Sequence, residues 1–116
     1  MSKVTIYHNP RCSKSRKTLS LLEDLALQVE VINYLKTPPN TVTIKNILSK
    51  LGIKARELMR TKESVYVELG LATKSLTEDQ LINAMTDNPI LIERPIVIHK
   101  DKCAIGRPPE NVLSIL

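Results

Sequence analysis

Tyr7-His8-Asn9-Pro10-Arg11-Cys12-Ser13-Lys14-Ser15-Arg16 joins two stretches of different period. Ahead of it, Val4-Thr5-Ile6-Tyr7 reads as a short strand; behind it, a helical pattern runs from Thr18 to Ala26. The join puts Cys12 in a loop at or just before a helix N-terminus, where unpaired N–H groups and the positive end of the helix dipole favour negative charge. Arg11, Lys14 and Arg16 stand within four residues of Cys12, and no Asp or Glu precedes Glu23. Thiolates in such settings have pKa values lowered to roughly 3.5–7.5. Cys12 is therefore the candidate nucleophile, against the plain alternative of a small buried hydrophobe. Three readings of His8 stay open: an imidazolium stabilising the thiolate, its base, or a polar loop residue. Ser15 lies one helical turn beyond Cys12, so its hydroxyl is either a donor to the sulfur or an ordinary first-turn residue.

Outward from this loop, Leu19, Leu22, Leu25 and Ala26 share a helical face, which predicts a helix from about Ser13 to Leu25 packed on a sheet. Val29-Glu30-Val31-Ile32-Asn33-Tyr34 alternates as a second strand. Strand, helix and strand in so short a span make a right-handed βαβ unit with parallel strands. After the break at Thr37-Pro38-Pro39-Asn40, Ile44, Ile47, Leu48 and Leu51 predict a helix ended by Gly52. A short helix follows over about Lys54 to Met59. Residues 61–74 are weakly patterned, with Leu69-Gly70-Leu71 as a turn. Thr77-Glu78-Asp79-Gln80 reads as a capping box opening a helix that carries Leu81, Ile82 and Met85 and stops at Asp87-Asn88-Pro89. Ile96-Val97-Ile98 and Cys103-Ala104-Ile105 flank a Lys-Asp turn as an antiparallel hairpin, and Pro108-Pro109 open a last helix reaching about Ile115. The expected order is β-α-β, an all-helical insertion over about 40–88, then β-β-α.

Composition narrows the function classes. A chain of 116 residues, 42% hydrophobic and 25% charged, is a single ordinary globular domain, residues 1–116. No run approaches the ~20 apolar residues of a membrane helix, and Met-Ser-Lys-Val-Thr lacks a signal peptide's apolar core. A cytoplasmic protein without membrane contact is expected. With two Cys, two His and no cluster of them, no metal site is expected. Cys103 reads as a packed strand residue in preference to a resolving thiol. The net charge of +5 suits an anionic partner. Nucleic acid is disfavoured, since Trp and Phe are absent, only three Tyr remain to stack on bases, and the basic residues are scattered. A small oxyanion fits better.

His8-Asn9-Pro10-Arg11-Cys12, Tyr34-Leu35-Lys36-Thr37-Pro38-Pro39, Glu68-Leu69-Gly70-Leu71 and Arg94-Pro95-Ile96-Val97 together resemble the glutaredoxin-coupled arsenate reductases, across essentially the whole chain. The resemblance implies an α/β thioredoxin-like fold with a mixed four-stranded sheet. It implies that Pro95 is cis and faces the Cys12 loop, and that Arg60, Arg94 and Arg107 form a triad holding the oxyanion. Guanidinium groups suit that task because they give paired, charge-assisted hydrogen bonds and stay charged. Arg94, beside a buried-looking Pro, and Arg107, at a helix entrance, are also candidates from their positions; Arg60 is taken from the resemblance alone. The implied reaction has the Cys12 thiolate attack arsenate, with His8 and Ser15 holding the thiolate. The resemblance further implies no bound cofactor, with glutathione as co-substrate and glutaredoxin as partner. The same fold includes non-enzymatic redox regulators that bind RNA polymerase. Their sensing forms typically carry C-x-x-C, whereas Ser15 stands at the second position here.

Overall fold

A computed structural model describes residues 3–116 and divides them into two compact units, split between Thr37 and Pro38 and again between Glu93 and Arg94. The outer unit holds the sheet. Strand β1 (Lys3–His8) leads through the Cys12 loop into α1 (Ser13–Asp24), and β2 (Gln28–Asn33) follows. After the second unit, β3 (Ile96–His99) and β4 (Lys102–Ile105) form the hairpin, and a 3₁₀ helix spans Pro109–Ile115. The strand order is β2-β1-β3-β4, with β2 parallel to β1 and both remaining pairings antiparallel. This is the mixed four-stranded sheet of a thioredoxin-like α/β fold.

Alternation decides the core. Val4 and Ile6 of β1, Val97 of β3 and Ala104 of β4 gather with Leu22 of α1 and Val112 of the 3₁₀ helix. Leu22 is fully buried, and a buried aliphatic side chain of this size stabilises the fold by about 1.5–3 kcal/mol. The face assigned to α1 ends sooner than the sequence suggests. The helix stops at Asp24, Leu25 caps it and is 48% exposed, and Ala26 turns left-handed at φ 57°. The Ala26 N–H bonds the Glu23 carbonyl at 2.9 Å, so local backbone closure overrides the apolar period. The last segment is 3₁₀ in place of the expected α-helix.

The second unit is helical: α2 (Thr41–Leu51), α3 (Ala55–Leu58), α4 (Ser64–Glu68) and α5 (Glu78–Asp87). The Asn40 side chain accepts from the Thr43 N–H at 2.8 Å, and Gly52 ends α2 at φ 68°, a conformation that favours glycine. Thr77 and Gln80 form a reciprocal capping box on α5. Ile44, Ile47, Leu58, Leu81, Ile82 and Met85 are buried. The insertion runs past the expected 40–88 because a short 3₁₀ turn (Pro89–Leu91) and a bridge between Met59 and Ile92 hold its end. Helix α4 lies in the weakly patterned stretch. Arg56 organises that region, donating to the Tyr66 hydroxyl at 2.8 Å, to the Leu71 carbonyl, and to the Thr73 carbonyl at 3.1 Å. No helix among the described residues is long and apolar enough to cross a membrane.

Candidate active site

The loop between β1 and α1 is held by its own polar groups. Pro10 occupies the second position of a turn in which the Cys12 N–H bonds the Asn9 carbonyl at 3.0 Å, the place where a fixed φ is useful. The Asn9 side chain accepts from the Arg11 N–H at 2.9 Å, and Arg16 reaches back to the Pro10 carbonyl at 2.9 Å. Cys12 emerges as the N-cap of α1, with extended backbone at φ −94° and ψ 123°. Its sulfur thus takes the place of the usual capping oxygen, ahead of the first free N–H groups. Cys12 is buried, and burial alone would push the thiol up. The Ser15 N–H, the Arg94 guanidinium and the Lys14 N–H outweigh it, so the Cys12 pKa lies below the ordinary thiol value.

Arg94 and Arg107 arrive from the far ends of the β3–β4 hairpin. Arg94 acts on Cys12 through a hydrogen bond and its charge. Arg107 donates from Nη2 to the Cys12 sulfur at 3.9 Å and from Nε to the Arg94 carbonyl at 2.9 Å. Pro95 follows Arg94 through a cis peptide bond, and Pro108 follows Arg107 through another. Gly106 lies between Pro95 and α1: a Cβ there would stand 2.5 Å from Thr18 Oγ1 and 2.8 Å from Pro95 Cγ.

A buried thiol set on a helix N-terminus between two guanidinium groups can attack an electrophilic oxyanion held by those same groups. Residues 7–115 match the ArsC family. The chain belongs to the ArsC family. This ArsC-family chain is 57% identical over 114 residues to the Escherichia coli K12 protein YfgD, covering 97% of this chain and 96% of that one. It is 50% identical to an arsenate reductase of Neisseria meningitidis over the full length of both. The solved arsenate reductase from Vibrio cholerae superposes with a TM-score of 0.97 at 48% identity, covering 99% of this chain and 98% of that one.

Within this ArsC-family chain, Cys12, Arg94 and Arg107 come together. His8 and Ser15 meet each other, with His8 Nδ1 2.6 Å from Ser15 Oγ and the Asn9 N–H donating to the same oxygen at 3.0 Å. Either histidine tautomer satisfies the hydroxyl, which has one proton to give and a second lone pair to offer. Burial first, then the Arg16 charge, lowers the His8 pKa, against a smaller opposing effect of Glu23. That lowering favours the neutral ring over the imidazolium. Ser15 acts on the sulfur through its backbone N–H while its hydroxyl is engaged with His8 and Asn9. Arg60 belongs to the helical unit, where Nη1 lies 3.2 Å from Glu93 and Nε 3.7 Å from Glu63. Cys103 is buried in β4 opposite Ile98. Among the described residues no group of three or more His, Cys, Asp and Glu side chains is placed to hold a metal ion.

Asn9 and Arg16 are the loop residues whose positioning contacts the sequence reading left unassigned. The Asn-Pro dipeptide was a turn signal for Asn9. Arg16 counted only as nearby charge, because a contact back to Pro10 has no periodic signature.

Proposed function

We propose that this chain reduces arsenate to arsenite through a covalent Cys12 thioarsenate, with glutathione and glutaredoxin supplying the electrons. The observation that carries this reading is the placement of Arg94 and Arg107 on the Cys12 sulfur. Guanidinium groups that favour the thiolate are also suited to bind a tetrahedral dianion in bidentate fashion, so nucleophile and electrophile share one pair of cations. Cys12 attacks arsenic, a sulfur–arsenic bond forms, and one arsenate oxygen takes up two protons and leaves as water. Two external thiols then give up two electrons to form one disulfide, and arsenic takes those electrons to become As(III). Water displaces the Cys12 sulfur, breaking the sulfur–arsenic bond to release arsenite and restore the thiol. An external reductant fits a chain whose second cysteine is buried in the sheet and which has no C-x-x-C pair. On the same reading His8 and Ser15 keep the Cys12 loop in its reactive shape.

The deciding experiment is arsenate-dependent oxidation of NADPH, coupled through glutathione reductase, glutathione and glutaredoxin. Turnover lost in Cys12→Ser supports the reading, since serine is a favoured N-cap and leaves α1 its start. Undiminished turnover in that variant removes Cys12 as the nucleophile. Absence of turnover with Cys12 still a low-pKa thiol points to another oxyanion or thiol substrate. Absence of turnover with an ordinary, inert Cys12 favours the regulator or adaptor reading.

A further inference from the structure

Beside the nucleophile loop lies a groove of about 300 Å³, lined by Asn9, Pro10, Arg11, Asn33, Leu35 and Lys36. Its two walls are the segments leaving β1 and β2. Those strands run parallel with His8 opposite Asn33, so both chains exit at the same carboxyl edge, where open α/β sheets place ligands. Each wall is closed by its own asparagine. Asn9 Oδ1 takes the Arg11 N–H at 2.9 Å, Asn33 Oδ1 takes the Leu35 N–H at 3.2 Å, and the Asn33 carbonyl takes the Lys36 N–H at 3.1 Å. The backbone is thereby largely satisfied, and the charge offered to the groove is that of two exposed side chains, Arg11 and Lys36. Among the described residues neither has a carboxylate within ion-pair distance, and no acidic residue lines the groove. Arg11 is one peptide from Cys12, about 3.8 Å between Cα atoms.

We propose that this groove docks the thiol co-substrate, and that the co-substrate is a small thiol carrying carboxylates, held by Arg11 and Lys36. The inference rests on the reading of Cys12 as a nucleophile resolved by an outside thiol. The groove's volume falls at the lower end of small-molecule sites, roughly 300–1,000 Å³, whereas a stable protein–protein contact takes about 800 Å² of surface from each partner. A compact anionic thiol is the better occupant.

The test needs no arsenate. Cys12 thiolate attacks one sulfur of a disulfide probe, the S–S bond breaks, one thiolate leaves, and a mixed disulfide remains. Rates are compared for glutathione disulfide, which carries carboxylates, and 2-hydroxyethyl disulfide, which carries no charge. In Arg11→Gln/Lys36→Gln the ratio of the first rate to the second should fall about three- to tenfold, the scale of two exposed charge pairs. Taking the ratio removes any effect of Arg11 on the thiolate itself. In the coupled assay the same variant should raise KM for glutathione by a larger factor than KM for arsenate. An unchanged ratio overturns the proposal, even with arsenate turnover intact. A fallen ratio in a protein that does not turn over arsenate keeps the groove and sinks the arsenate reading. A KM rise confined to glutaredoxin, with the ratio constant, assigns the cations to a protein partner and overturns the small-thiol proposal.

Discussion

The Arg107 guanidinium lies 3.9 Å from the Cys12 sulfur through Nη2 and is steadied by its Nε bond to the Arg94 carbonyl. A hydrogen bond to a charged group contributes about 1.5–3 kcal/mol, so Arg107→Ala should lower kcat/KM for arsenate about ten- to hundredfold. Unchanged kcat/KM would take Arg107 out of the site.

Arg94 should act on the free enzyme as well. The Cys12 pKa is lowered despite burial, with the Arg94 guanidinium among the causes. Iodoacetamide alkylation of Cys12 against pH should therefore show a midpoint below the ~8.5 of a free cysteine. In Arg94→Ala that midpoint should rise. Coincident profiles would leave the backbone N–H groups as the source of the effect.

His8 gives a stability signature. Its folded-state pKa is lowered, chiefly by burial, so on acidification the unfolded chain takes up the proton first. Its contribution to stability is therefore complete above the ordinary histidine pKa of ~6.5 and shrinks as pH falls below it toward the folded-state value. His8→Asn, which keeps a polar atom toward Ser15, should flatten the fall in Tm across that window. Parallel curves for the two proteins would assign the acid sensitivity elsewhere.

Gly106→Ala tests the packing behind the arginines. The added Cβ would crowd Thr18 Oγ1 at 2.5 Å and Pro95 Cγ at 2.8 Å. A loss of about 1–3 kcal/mol is expected in denaturant unfolding. Thr18→Ala in the same chain should recover only part of it, because the Pro95 contact remains. Full stability in the single variant would mean that this junction yields easily.

Arg56 is the anchor of the helical unit. Arg56→Lys should cost about 1–3 kcal/mol, since a single ammonium cannot reproduce a fork that serves the Tyr66 hydroxyl and the Leu71 and Thr73 carbonyls. Loss of protection from hydrogen exchange around residues 64–73 is the local readout, and unaltered exchange there would contradict it.

Where the sequence was legible, a local rule had no competitor. The switch of period around Cys12, Gly52 after α2 and the Thr77–Gln80 box each mark a boundary through chemistry carried by neighbouring residues. Helix α4 escaped because five residues are too few to show a period, and Val67 within it is 73% exposed. The end of α1 was overextended because Leu25 and Ala26 continue an apolar face that the backbone abandons. The site divides in the same way. Cys12 announced itself by charge and position, but the His8–Ser15 pairing spans seven residues and needs the turn's actual path. Arg107's reach to Cys12 crosses 95 positions and comes from tertiary structure.

The β3–β4 hairpin sets the spacing of the two site arginines. Ile96 pairs with Ile105, the Gly106 N–H bonds the Pro95 carbonyl at 2.9 Å, and just beyond the ladder the Arg107 side chain bonds the Arg94 carbonyl. The arm length of this hairpin is consequently free while its parity is not. Residues added in matched pairs near Lys100-Asp101 would lengthen both arms and leave the open end aligned. One unmatched residue in β4 would invert every later side chain and carry the Arg107 guanidinium to the opposite face, away from the sulfur.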